Sequence, residues 1–193
     1  MRSIIRFAAG VTMAGFMLTP VLAEPVTYGI DSTHTFPRFS YDHMGFSTQV
    51  NRFKNTTGTI VYDKEANTAE VNIVIDMTSV ETGAESFNGH IQGEEFFDTK
   101  NYPEATFTST QVHFEDDVPT AIDGELTIKG ISKAVTLEVK RFTNTEHPML
   151  QRDAIGADAT VVVKRSDFKA DKYVPAISDE VRIDIALEAV AQD

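Results

Sequence analysis

From Val26 onward the chain alternates apolar and polar residues in short runs, and nearly every run has the period of a β-strand buried on one face. The last run is the clearest: Val181, Ile183, Ile185 and Leu187 alternate with Arg182, Asp184, Ala186 and Glu188. Val71, Ile73, Ile75 and Met77 form a second row, and Ile122, Gly124, Leu126 and Ile128 a third. Val135, Leu137 and Val139, then Ala157, Ala159, Val161 and Val163, repeat the pattern. Further strands are expected over residues 26–30, 47–53, 59–62 (after a kink or turn at Gly58) and 107–114. Asp63 to Asn67 has turn chemistry, and Gly130 predicts a hairpin. In the run 34–43 the odd positions Pro37, Phe39, Tyr41 and His43 make the inward row, although Phe36 interrupts the alternation. About eight to ten short strands joined by tight turns predict an all-β sandwich or closed antiparallel barrel. Two longer connections, 143–153 and 166–179, are expected at a rim.

The period changes once, between Thr82 and Thr110. Phe87 and Ile91 stand four apart, Gly93 breaks the run, and Phe96-Phe97 follows before Tyr102-Pro103 returns the chain to a strand near Ala105. That spacing predicts a short helical segment near Phe87–Phe97, apolar side down, covering or gating a barrel.

Arg2 and Arg6 precede an uncharged apolar run from Phe7 to Leu18, and Val21-Leu22-Ala23 has the small-residue pattern of a cleavage site. Residues 1–23 are therefore expected to be a cleaved signal peptide, too short in its apolar part to span a membrane. Residues 24–193 then suffice for one domain with its own core. The formal net charge is −12, and loss of Arg2 and Arg6 makes the remainder more negative still. Such a surface repels nucleic acid and anionic lipid headgroups, and no stable membrane insertion is expected. With no cysteine in the chain, disulfides, thiol catalysis and thiolate metal sites are excluded.

Catalytic signatures are sparse. The five histidines show neither the strand nor the helix spacing of a metal site, and His34 and His43 differ in parity. Ser109 and Ser166 lack a nucleophile-elbow context, and no glycine-rich loop opens a helix. No catalytic residue, metal or cofactor is assigned. What stands out is thirteen Phe and five Tyr with no Trp. Phe39, Tyr41, Phe53, Phe87, Phe96, Phe97, Phe107 and Phe168 can share one interior with Ile75 and Ile91, and His43 ends an inward row at a barrel mouth. An eight-stranded barrel is just wide enough to be filled by side chains or to hold one small ligand, and periodicity does not choose between these.

Several separate strings resemble the YceI-like family of periplasmic polyisoprenoid-binding proteins. They are YGIDSTHTFPRFSYDHMG (Tyr28 to Gly45), TSVETG (Thr78 to Gly83), HIQGEEFFDTKNYPEATFTST (His90 to Thr110), GELTIKGISKAVTLEV (Gly124 to Val139) and KRSDF (Lys164 to Phe168). The resemblance implies an extended lipocalin-like antiparallel barrel enclosing an isoprenoid lipid, a binding protein rather than an enzyme, located in the periplasm. Phe39, His43, Gly45, His90, Phe96, Phe97, Tyr102, Pro103 and Phe107 occupy matching motif positions, with Gly45 and Pro103 expected to fix turns. The ligand-lining set is expected to be Phe39, Tyr41, His43, Phe53, Ile75, Phe87, His90, Ile91, Phe96, Phe97, Phe107 and Phe168. Many members carry Arg-Asp where this chain has Phe87-Asn88, and Gly where it has Asn51 and Lys169. Losing that cation favours a neutral headgroup, such as a quinone, over a pyrophosphate; Arg38, Arg52 and Lys54 are the remaining candidate cations, with surface positions expected for all three. A filled-core stress-response scaffold, a periplasmic hydrolase and a haem or electron-transfer accessory are the competing readings, and a homodimer is left open.

Overall fold

The computed structural model describes residues 24–193; the expected signal peptide lies outside the described residues. The strands are β1 (Val26–Ile30), β2 (Arg38–His43), β3 (Ser47–Phe53), β4 (Thr56–Asp63), β5 (Thr68–Asp76), β6 (Val80–Glu81), β7 (Glu104–Glu115), β8 (Val118–Ile128), β9 (Ile131–Glu146), β10 (Asp153–Lys164) and β11 (Glu180–Ala191). Among the described residues a single α-helix, α1 (Glu85–Ile91), interrupts them, with 3₁₀ turns at Met77–Ser79 and Arg165–Phe168. Eight strands close an antiparallel barrel in the order β1-β4-β5-β7-β8-β9-β10-β11, because β11 pairs back onto β1.

Closure depends on β11 serving two partners. Its C-terminal end pairs with β1 (Ala189 opposite Ile30), and its N-terminal end pairs with β2 (Ile183 opposite Phe39). From β2 the sheet continues through β3 to β6, so β2, β3 and β6 complete the wall at the end where β1 does not reach. Between the two ladders, residues 31–36 cross over β11. Thr35 Oγ1 donates to the Glu188 carbonyl at 3.2 Å and accepts from the Glu188 amide at 3.1 Å, and the Phe36 amide donates to the Ala186 carbonyl.

Four boundaries depart from the sequence expectation. The strand expected from His34 begins at Arg38, because residues 34–36 are spent on that crossing and Pro37 has no amide to donate. The break between strands expected at the Gly58 kink or turn falls instead at Lys54-Asn55, and Gly58 sits inside β4 at φ +145°, where a Cβ would lie 2.1 Å from the Asn72 carbonyl oxygen. β9 runs on to Glu146, which shortens the expected 143–153 connection to a loop of residues 147–152. The helix ends at Ile91, and the segment through Phe97 is a series of turns in which the Phe97 amide returns to the Ile91 carbonyl at 3.1 Å.

The barrel end formed by β1 and the β9–β10 loop is plugged. Tyr28 is buried, its hydroxyl donates to Asp153 at 2.6 Å, and Asn144 Nδ2 donates to both Tyr28 Oη and Asp153, each at 3.1 Å. Beside it Tyr62 stacks on Phe114 and meets Phe142 edge-on, with ring centroids 6.2 and 5.7 Å away. Burial, then the bond to Asp153, pushes the Tyr28 hydroxyl pKa up to about 12.

Candidate functional site: an apolar cavity in the barrel

Above that plug the barrel is hollow. The inward rows predicted from periodicity do face the interior, yet Ile183, Ile185, Leu187, Ala157, Ala159, Ile73, Ile75 and Val135 are only half-buried. Side chains that point away from bulk solvent and still retain accessible surface face empty space. That space is a cavity of about 450 Å³, within the range of roughly 300–1,000 Å³ usual for small-molecule sites. Small residues, Ala157 and Ala159 of β10 and Ala105 of β7, leave the room, and Ile, Leu, Val and Phe supply most of the rest.

All twelve residues expected to line a site lie on this wall. Ile75 (β5) and Phe107 (β7) face the middle of the barrel, and Phe168 enters from the 3₁₀ turn after β10. The others gather at the open end. Phe39 and Phe53 lie 5.4 Å apart between ring centroids, each 5.7 Å from Phe97, and Ile91 is buried beneath α1 in the same cluster. Farther out, His90 sits 5.8 Å from Phe87 and 4.9 Å from Phe96, while Tyr41 and His43 extend the β2 row towards the mouth. The segment from Phe87 to Phe97 is therefore a roof of aromatic rings.

The roof is tied down by charged side chains. The Lys172 ammonium pairs with Glu95, and Lys129 Nζ donates to the carbonyls of Glu94 (3.0 Å) and Lys169 (2.8 Å). Arg165, on the cavity wall, holds the 169–179 loop from inside. Its Nε donates to Ser178 O at 2.8 Å, Nη1 to Ala170 O (2.5 Å) and Lys172 O (2.8 Å), and Nη2 to Ile177 O (3.0 Å). Burial lowers its pKa from the usual guanidinium value, opposed by Asp179 and Asp171. Sequence reasoning missed Arg165, although it lies within the KRSDF string; an isolated Arg next to a strand end carries no periodic signal.

Of the candidate cations, Arg52 is exposed and committed to Glu81 at 2.6 Å, with its guanidinium over the Phe36 ring. Lys54 is exposed, and Arg38 is exposed but reaches the cavity rim. Three buried polar atoms, Asn51 Nδ2, Thr56 Oγ1 and Asn67 Oδ1, have no partner among the described residues, and Thr56 lies on the cavity wall. One exposed histidine has carboxylate neighbours that histidine spacing does not report. His34 Nδ1 lies 2.8 Å from Asp31, with Glu188 adjacent, and hydrogen bonds from Thr33 and His34 hold the Asp31 carboxyl at a pKa of about 2. This group secures the β1–β2 crossing on the outer surface.

The architecture and its interior define the class: a closed antiparallel β-barrel around an elongated apolar cavity. Residues 28–189 match the YceI-like domain, and the chain belongs to the YceI family. It is 35% identical to Protein YceI of Escherichia coli O157:H7 over 186 residues, 95% of this chain and 96% of that one. Among solved structures, Burkholderia cenocepacia BcnA superposes with a TM-score of 0.71 at 25% identity, covering 82% of this chain and 98% of that one. A polyisoprenoid binding domain from Saccharophagus degradans, at 22% identity and a TM-score of 0.66 over 86% of this chain and 99% of that one, shares the fold.

Proposed function

We propose that this protein is a periplasmic carrier or reservoir for an isoprenoid lipid with a neutral headgroup, held with its tail along the barrel. The observation that carries this reading is the apolar cavity above the Tyr28–Asp153 plug. Its wall contains no carboxylate, serine or lysine among the described residues and is mostly aliphatic and aromatic, so it favours an apolar chain. The Saccharophagus neighbour, a polyisoprenoid binding domain, points the same way.

The energetics are those of chain burial. Each methylene contributes about 0.8 kcal/mol, so a five-carbon isoprene unit contributes on the order of 3–4 kcal/mol gross. A few units would reach the practical ceiling of roughly −18 to −21 kcal/mol, and ordering a flexible tail offsets much of the gain. Tail length and fit set affinity; the head sets orientation. A neutral head is favoured because Phe87 stands on the cavity wall where the family resemblance implies a cation in many members, and the Arg165 guanidinium already serves four backbone carbonyls.

Competition binding tests this directly, with delipidated protein, a dansyl-labelled farnesol probe, a short-chain quinone and farnesyl pyrophosphate. The quinone is expected to displace the probe at least tenfold more effectively than the pyrophosphate, and Phe87→Arg to narrow that gap. Failure of the probe to bind saturably would refute the carrier reading. Preference for the pyrophosphate would refute the neutral head.

A further inference from the structure

The hydrogen-bond ladder between β9 and β10 is incomplete. It runs from Asp153 opposite Glu146 to Thr160 opposite Glu138 and stops there. Beyond that point residues 131–137 of β9 pair only with β8, and residues 161–164 of β10 pair only with β11. A register shift between Asp158 and Ala159 makes Lys140 an extra residue on β9, and such a bulge bends its strand. The Arg165–Phe168 turn, packed against both strands with Phe168 buried, holds them apart at the upper end.

The outer surface records the consequence. A groove runs between the separated strands, rimmed by Ala134, Thr136 and Glu138 of β9, Thr160 and Val162 of β10, and Arg182 of β11. Val135 and Val161 belong to the inward rows and line the central cavity, yet they line this outer groove as well. In an intact sheet, residues of one parity are reached from one face only. Two valines reached from both faces mark a breach in the wall; its lip is mixed, with Ala134 and Val162 (54% exposed) beside Thr136, Glu138, Thr160 and Arg182.

We propose that this breach is a side entrance through which the apolar chain of the ligand enters and leaves the cavity. The inference rests on the carrier reading above. It assigns passage to the side because the two routes differ in what must break. Opening the roof requires parting Lys172 from Glu95 and Lys129 from two carbonyls. Widening the gap breaks no ladder bond, since none spans it. A slit along the strands also lets a chain pass broadside, with less need to thread end-on.

The chain has no cysteine, which makes the test clean. The Thr136→Cys/Val162→Cys variant is prepared unlinked and bridged across the groove by a short bis-maleimide, with linkage verified by mass. Transfer of dansyl-farnesol from phosphatidylcholine vesicles is then followed by stopped flow. Bridging is expected to slow transfer at least tenfold while the equilibrium amount bound stays within twofold. Equal rates for bridged and unlinked protein overturn the side entrance and leave the carrier reading standing. Absence of saturable uptake by the unlinked protein overturns both.

Discussion

Ala159→Phe separates a hollow barrel from a filled one by the sign of its effect. Ala159 lies on the cavity wall, opposite Val139 of β9 and Ile185 of β11, and is itself only half-buried. The substitution adds a phenyl ring to a space of about 450 Å³. In a close-packed core that insertion costs about 1–3 kcal/mol through strained rotamers and shifted backbone. In a void the ring gains burial instead, with an upper value of roughly 1.5–3 kcal/mol for complete enclosure. Partial contact with the wall brings the expected gain to about 1 kcal/mol for the ligand-free protein. Urea unfolding of delipidated protein should show a higher midpoint with unchanged slope. The same variant should bind less than a tenth of the dansyl-farnesol taken up by the parent protein. Destabilisation by 1 kcal/mol or more, with uptake intact, would refute the hollow-barrel argument.

Three other perturbations address the frame around the cavity. Arg165→Lys removes most of the guanidinium bonds to the 169–179 loop and is expected to cost about 2–4 kcal/mol. Hydrogen exchange should quicken in residues 169–179 while β5 and β7 amides stay protected. Because the Tyr28 hydroxyl pKa is raised from about 10 to about 12, its stabilisation is present below pH 10 and lost as pH climbs towards 12. Tyr28→Phe should flatten that alkaline decline, seen as a weaker fall in urea midpoint above pH 10. Gly58→Ala would set a Cβ 2.1 Å from the Asn72 carbonyl oxygen at a φ of +145°. It is expected to cost at least about 1–3 kcal/mol by urea unfolding.

The inward rows were legible because a one-sided strand has a strict period of two. Val181 to Leu187 and Ala157 to Val163 face the interior as their alternation requires. The aromatic roof was legible through the break in that period at Phe87 and Ile91, although the helix itself is shorter than the segment. What periodicity does not carry is whether a closed wall surrounds a void: Ile185 in a solid core and Ile185 against a cavity have the same neighbours in sequence. Nor does it carry the division of β11 between β1 and β2, which depends on the 31–36 crossing and its Thr35 bonds. Arg165 and the incomplete β9–β10 ladder escaped for the same reason. Each is defined by partners distant in sequence.

The central claim is that an oily chain occupies the interior of this barrel. The most direct measurement is native mass spectrometry of the protein isolated from its own cells without organic solvent, followed by extraction and identification of whatever it carries. One apolar molecule per barrel is expected, built of isoprene units and bearing an uncharged head, and it should be missing from Ala159→Phe. Protein that emerges at its bare mass, with nothing apolar in the extract and no uptake of an added isoprenoid, would contradict it.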